Sequence, residues 1–485
     1  MCKNHEWKFL HTAICALHKF TEFEESMMMK MEKKLLCLFL ALLLTATGCG
    51  TGVQEKVEKQ KSEIKEQVKE ETYKIEQPVV FNGVSLELPV SMVRALVDRN
   101  GYQPDREKKV IFIGDNLTGS FRVIREADWE VVYTGTIQKL STAGDSHENS
   151  ISVGDFSAVT EPGTYYIEQN EVGRSYTFEI AEEVYDPIFA GLVQNLQEEL
   201  PPAEQVSAED ICNVSFGMHS MMLALQFHGT LFEKDNNLVT QLLKMAEWLM
   251  TFQDKNGSMF EDYEATAAFC GVLAQSADAF GKYDANVSKE YRAASQKAWK
   301  WMERQTQGAK ENPSAHFYAA TQLFKVEGSR NYAVLIEKFL ENRTKKMTED
   351  KFVFYGAVTY LGTVKNTNRD LCTKIMKELV DETEEINRKE KENPYLVSSN
   401  DISQNLQKVL LICFVDYITP SNEYAVIIEN TLHYLCGRNA TGNIYIDETG
   451  KWQPKEAVSG RTLEWNGILL FCLSDLLDDA ADDIK

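Results

Sequence analysis

Between Asn82 and about Glu183 the apolar residues alternate with polar ones or gather in short runs. Such runs are Val84-Ser-Leu-Glu-Leu, Lys109-Val-Ile-Phe-Ile, Ser120-Phe-Arg-Val-Ile, Glu130-Val-Val-Tyr, Thr164-Tyr-Tyr-Ile-Glu and Tyr176-Thr-Phe-Glu-Ile. Asn100-Gly101, Gly114-Asp115-Asn116 and Glu161-Pro162-Gly163 separate them as turns. Short strands at this spacing predict an antiparallel β-sandwich. After Tyr185-Asp186-Pro187 the period changes: Leu238, Leu242, Met245, Ala246 and Leu249 follow helical spacing. The same stripe recurs, predicting helices that start near residues 185, 216, 236, 264, 285, 312, 330, 352, 368, 402, 422 and 461. Pro201-Pro202, Asn256-Gly257, Asn312-Pro313, Asn393-Pro394 and Pro420 are among the breakers between them. Twelve helices fit a closed ring of six helical hairpins, and an open solenoid fits the count as well. No short-period repeat supports the solenoid.

The chain opens differently. Met31-Glu32-Lys33-Lys34 leads into Leu35–Leu44, an uncharged apolar run. A membrane span needs roughly 20 such residues, so this run has the length of a signal peptide. Thr45-Ala46-Thr47-Gly48-Cys49 then resembles a bacterial lipobox. That resemblance implies cleavage before Cys49, acylation of its thiol, and an exported lipoprotein on the extracytoplasmic face of the membrane. The alternative is a plain signal peptide. Met27, Met28, Met29 and Met31 offer starts later than Met1. From Gln54 to Glu76 glutamate and lysine alternate with few apolar residues. This is a solvated helix with Glu–Lys pairs or a flexible tether, and either serves as a spacer. The expected division is a leader over 1–48, a charged linker over 49–78, the β module over 79–183 and the helical body over 184–485.

Charge and composition narrow the partners. Asp and Glu number 73 against 51 Lys and Arg, a formal charge of −22. A nucleic-acid surface needs a basic footprint, so nucleic acid is excluded as a partner. Acidity leaves neutral glycans open and would steer a basic protein partner. Hydrophobic residues at 44% and aromatics at 10% exclude wholesale disorder. His219, His228, His316 and His433 show no metal-ligand spacing, and no metal or cofactor is expected. Cys212, Cys270, Cys372, Cys413, Cys436 and Cys472 contain no Cys-x-x-Cys and read as small buried residues. Export would permit disulfides, yet six cysteines allow 15 connectivities and the sequence selects none.

Several segments together resemble one family. Arg99-Asn-Gly-Tyr-Gln-Pro, Val131-Val-Tyr-Thr-Gly, Asp155-Phe-Ser-Ala-Val-Thr-Glu-Pro-Gly-Thr-Tyr-Tyr-Ile and Arg174-Ser-Tyr-Thr-Phe-Glu-Ile look like the N-terminal immunoglobulin-like domain of family 9 glycoside hydrolases. Tyr434-Leu-Cys-Gly-Arg-Asn and Glu464-Trp465-Asn466-Gly467 are similar to that family's Leu-Gly-Arg-Asn-Pro segment and closing Trp-Asn-Ala. The resemblance implies a multidomain chain, an all-β Ig-like sandwich followed by an all-α (α/α)6 barrel. It also implies cellulase-type chemistry on a β-glucan polysaccharide.

Inverting hydrolysis needs a carboxylate base and a carboxylic acid roughly 6.5–9.5 Å apart. In the family the base belongs to an Asp-Ala-Gly-Asp motif, and the matching stretch here, Val206-Ser-Ala-Glu-Asp-Ile-Cys-Asn, lacks it. Only Glu209 and Asp210 remain, and acids there are also common at a helix N-terminus. The family's acid lies six residues before the asparagine of Trp-Asn-Ala, which here is Gly460. Glu464 lies four residues later, one helical turn or ~6 Å away, and a misplacement of ~1 Å already costs about 10²-fold in rate. The family's Pro-His-His-Arg loop has no counterpart between Asn443 and Ser459. The expectation is therefore a family 9-like surface protein that binds polysaccharide, its hydrolytic site lost. The alternatives are an active hydrolase with a rebuilt pair, such as Glu464 with Glu209 or Asp210, and a protein-interaction module. Arg438 of the Gly-Arg-Asn segment, Tyr445, Trp452 and Trp465 are the candidate glycan contacts, with Tyr355 nearby. Flat rings with polar edges suit stacking on sugars, although simple packing is an equal reading. Trp248, Trp299 and Trp301 read as core.

Overall fold

The computed structural model describes residues 93–114, 117, 119–140, 151–232, 237–453 and 461–482. The leader, Cys49, the charged linker and the run at Val84 lie outside the described residues.

Among the described residues eight strands come first: β1 (Ala95–Leu96), β2 (Lys109–Ile113), β3 (Ser120–Arg125), β4 (Val131–Lys139), β5 (Ile151–Asp155), β6 (Gly163–Gln169), β7 (Gly173–Arg174) and β8 (Phe178–Ile180). All named pairings are antiparallel, in the order β1-β2-β5-β4-β3-β6-β7, with β8 also on β6. β4 serves both layers: its first residues pair with β3, and Ile137–Lys139 pair with β5. The inward positions of the alternating strands, among them Val110, Phe112, Phe121, Val123, Tyr165 and Phe178, form one core. That burial is the reason the period-2 pattern was readable. β5 was not foreseen, because Ile151-Ser-Val-Gly-Asp carries two apolar residues and a glycine.

The described helices are α1 (Asp186–Gln194), α2 (Ala208–Phe227), α3 (Asn237–Met250), α4 (Tyr263–Phe280), α5 (Ala285–Arg304), α6 (Thr306–Glu311), α7 (Pro313–Glu327), α8 (Arg330–Asn342), α9 (Lys351–Gly362), α10 (Arg369–Glu392), α11 (Ile402–Ile418), α12 (Asn422–Leu435) and α13 (Arg461–Asp482). α6 is an extra short turn, and α2 begins eight residues before the expected 216. Two kinds of helix alternate. In α2, α4, α7, α9 and α11 long stretches are buried on every side, such as Phe352–Leu361 of α9. α3, α5, α8 and α10 bury a single stripe, such as Ala333, Ile336 and Leu340 of α8. Helices that are apolar all round belong inside and one-faced helices outside. α2 packs on α4, α4 on α7, α7 on α9, α11 on α13, and α13 back on α2. Phe354 and Phe414, with ring centroids 6.3 Å apart, join α9 to α11 and complete the inner ring. The body is an (α/α)6 barrel.

A buried polar network joins it to the sandwich. His433 Nδ1 lies 2.7 Å from Asp98 Oδ2, Tyr102 Oη accepts from the Asp98 amide, and the Arg99 amide donates to the Cys436 carbonyl. Arg106 lies 3.4 Å from Glu429, whose side chain is 2% exposed. Among the described residues no helix is long and apolar enough to cross a membrane.

Candidate functional site

The N-termini of the inner helices converge at one end of the barrel, its mouth. Residues from separate helices meet there: Lys351 of α9 binds Glu464 of α13, and Arg461 of α13 binds Glu209 of α2. Acids are plentiful at this end for a local reason. A helix leaves its first amides without partners, and short oxygen-bearing side chains satisfy them. Asp262 Oδ1 accepts from the Ala265 amide at 2.8 Å. Asp350 Oδ1 accepts from Phe352 at 3.0 Å, and Asp401 Oδ1 from Gln404 at 2.8 Å. Asp210 closes a capping box, accepting from the Ser207 amide and hydroxyl at 2.9 and 2.7 Å while its own amide donates to Ser207 Oγ.

Three described carboxylates at the mouth, Glu209, Glu464 and Glu264, cap nothing. Glu209 extends to Arg461 at 3.1 Å on the surface. Glu464 offers both oxygens to the Lys351 ammonium, at 3.0 and 2.8 Å, and its side chain is 14% exposed. Glu264, in the first turn of α4, carries no hydrogen bond or ion pair among the described residues. Partial burial and the nearby charges of Asp262 and Asp350 push its carboxyl up, against Lys345 and Lys351. Cys212 sits among these groups. Burial pushes its thiol up to about 12, with Lys351 opposing and Asp262, Glu264 and Glu464 adding. Gly460, at the position of the expected acid, lies outside the described residues.

Below the mouth the barrel axis is filled. Phe216 stacks on Tyr355 at 5.2 Å and meets Phe352 edge-on at 4.9 Å. His219 Nδ1 lies 2.9 Å from Tyr318 Oη, and Ser220 Oγ 2.5 Å from Tyr355 Oη. Burial holds the His219 imidazole far below its usual range, so it stays neutral. The Lys351 ammonium stands 5.1 Å above the Phe216 ring, a cation–π contact. The floor of the mouth is therefore an aromatic plug carrying a lysine–glutamate ion pair.

The remaining candidates sit elsewhere. Arg438 is wholly buried, donating to Asn430 Oδ1 at 2.6 Å near Tyr102 and Asp98. It serves the seam between sandwich and barrel, and a bound glycan has no surface of it to touch. Trp452 and Trp465 are 7% and 5% exposed with centroids 4.7 Å apart. Trp452 Nε1 donates to Asn466 Oδ1, and Asn466 Nδ2 donates to Glu199 Oε2, both at 2.7 Å. The two indoles thus pin the 443–453 segment to α13, with no free face for a sugar. Tyr445 is half-buried on Tyr434 at 6.1 Å, and Tyr355 is part of the plug. Trp299 and Trp301 are core, whereas Trp248 is half-buried.

Beside the mouth a cavity of about 530 Å³ opens between α7, α8 and residues 343–345. Pro313, Phe317, Leu335, Phe339 and Val353 wall it, and Ser314, Lys338 and Lys345 supply polar groups. The sequence reading missed this cavity, together with Lys351 and Glu264. A first-turn glutamate and a lone lysine carry no spacing signal. Among the described residues no group of three His, Cys, Asp or Glu could hold a metal ion.

Comparison with known proteins gives concordant matches. A family model described as cellulase N-terminal Ig-like domain matches residues 93–174, and one described as glycosyl hydrolase family 9 matches residues 215–460. Endoglucanase D of Acetivibrio thermocellus is 37% identical over 89 residues, which is 18% of this chain and 13% of that protein. Among solved structures, a metagenome-derived glycoside hydrolase family 9 endoglucanase aligns with a TM-score of 0.67 at 15% identity. That alignment covers 80% of this chain and 99% of that one. A family 9 protein of Bacteroides ovatus aligns at 0.64 and 17% identity, covering 79% and 99%. At these identities the structural matches establish the shared fold.

Proposed function

This chain belongs to glycosyl hydrolase family 9, and from that membership we propose a surface lipoprotein, anchored through Cys49, that binds β-glucan-type polysaccharide without cleaving it. One observation carries the reading. Each acid foreseen as a rebuilt catalytic group is committed to a structural partner: Asp210 to its own helix cap, Glu209 to Arg461, and Glu464 to Lys351. A general acid must hold a proton to give, and a general base needs a free lone pair facing water. A carboxylate with both oxygens on an ammonium is suited to neither. The neighbouring cavity, with two phenylalanines and a polar rim, suits a sugar ring.

The purified protein should bind cellulose, mixed-linkage glucan or xyloglucan while releasing reducing ends at the background rate. Loss of binding in Leu335→Arg would assign the cavity as the contact. Binding of none of these glycans would turn the reading toward a protein-interaction module. Glu264 favours a second reading, residual hydrolysis, because its raised carboxyl lies unpaired at the mouth. Turnover that disappears in Glu264→Gln or Glu464→Gln would overturn the proposal. Anchoring is tested separately: labelled fatty acid should enter the wild-type chain and not Cys49→Ala, and equal labelling of both would remove the lipoprotein assignment.

A further inference from the structure

Six cysteines are described, and four have separate surroundings. Cys270 packs on the Ser295 carbonyl and hydroxyl, Cys372 lies 3.5 Å from Thr367, and Cys436 accepts from Asn100 across the seam. Cys212 stands at the mouth. The other two meet: Cys413 Sγ of α11 lies 3.1 Å from Cys472 Sγ of α13, 59 positions further along the sequence. Both are buried, at 0% and 1% exposure. Two thiols in contact on adjacent helices need only a small sulfur displacement to bond.

We propose that Cys413 and Cys472 form a disulfide that staples α11 to α13 when the chain folds in an oxidising compartment. This goes beyond the glycan reading and draws only on the proposed export, which supplies the oxidant. The oxidant is a small-molecule or protein disulfide. One thiolate attacks it, forms a mixed disulfide and releases one thiol; the second thiolate then displaces the other. Two protein thiols are oxidised, one external disulfide is reduced, and the two thiol protons leave on the released thiols. α13 also carries Glu464, Trp465 and Asn466, so the staple would fix the helix on which the mouth is built. The bond forms before burial is complete, since a buried thiol in apolar surroundings is inert.

The test uses the purified full chain held with oxidised glutathione at a guanidinium concentration within its unfolding transition, then returned to buffer, denatured and alkylated. Peptide mapping should find Cys413 joined to Cys472, with Cys212, Cys270, Cys372 and Cys436 alkylated. Reductant should lower the thermal midpoint of this material by ~5 °C, as expected for a cross-link closing a loop of this size. Cys413→Ala should show no such response. Alkylation of both Cys413 and Cys472, or their pairing with other cysteines, would overturn the proposal. So would a midpoint in the linked chain that does not respond to reductant. None of these outcomes depends on glycan binding.

Discussion

Glu429→Gln is expected to stabilise the protein at pH 8 by roughly 2 kcal/mol and to change little at pH 5. Glu429 projects from α12 into the seam, and neither carboxylate oxygen has a hydrogen-bond partner. Arg106 Nε lies 3.4 Å away as an ion-pair contact without hydrogen-bond alignment. Lys108 is nearby, but its ammonium is already held by the carbonyls of Gln103, Pro104 and Arg106. Burial therefore outweighs the attraction of Arg106 and raises the carboxyl to about 7, with Glu107 adding to the rise and Lys108 and Arg438 opposing it. Glu390 of α10, which accepts from Asn430 at 2.6 Å, is likewise raised to about 7 by burial.

The sign of the pH effect follows from proton counts. Above the unfolded pKa, near 4.5, the unfolded chain has lost the Glu429 proton while the folded chain keeps it until about pH 7. The folded state binds more protons across that window, so stability falls as pH rises through it. Above pH 7 the folded protein carries the full cost of a buried carboxylate. Glutamine keeps the shape and removes the charge. His433, whose imidazole is held below its usual range mainly by burial, contributes the opposite slope below about pH 6.5. It is present in both proteins and cancels in the difference. Guanidinium unfolding of wild type and variant from pH 5 to 8.5 measures the effect. A variant less stable than wild type at pH 8 would mean that the Arg106 attraction outweighs the burial cost.

The hydrophobic period carried most of the fold because it reports the burial that builds it. Outer helices such as α8 and α10 show one apolar stripe, and the inner ones show long apolar stretches. The start of α2 was missed although a signal existed: Ser207-Ala-Glu-Asp210 has the spacing of a capping box, and it assigns Asp210 to the helix end rather than to water activation. The site was less legible for a different reason. The Lys351–Glu464 pair joins residues 113 apart, and no local pattern links them. Tryptophans at 452 and 465 were visible as aromatic supply, but no local pattern shows that the 452 segment packs on α13, where Trp452 bonds Asn466 and Asn466 reaches Glu199 far back in the chain. Arg438 lay in a family segment, and only the seam explains why an arginine is buried there.

Gly467→Ala is expected to destabilise the protein by about 2 kcal/mol, although alanine is the residue in the Trp-Asn-Ala segment that Trp465-Asn466-Gly467 resembles. A side-chain carbon at Gly467 would stand 2.3 Å from the Gly217 carbonyl oxygen and 2.8 Å from its Cα. One at Gly217 would stand 2.3 Å from the Leu463 carbonyl oxygen. α2 and α13 thus cross with backbone against backbone, and neither position has a flexible side chain that can yield. Relief requires the helices to part by about 1 Å, and overpacking of this kind costs about 1–3 kcal/mol, or more where the obstacle is backbone. Against this, alanine gains up to about 1 kcal/mol over glycine within a helix. The net loss should appear as a lower guanidinium midpoint. Gly362→Ala, at the end of α9 with open space around it, should stay within about 0.5 kcal/mol of wild type. The effect should reach beyond stability, because the crossing carries a mouth residue. Glu464 lies one turn earlier on α13, so parting α13 from α2 should also loosen its pair with Lys351. A Gly467→Ala midpoint equal to wild type would show that the crossing tolerates a methyl group, and the close approach would not be what seats α13 against α2.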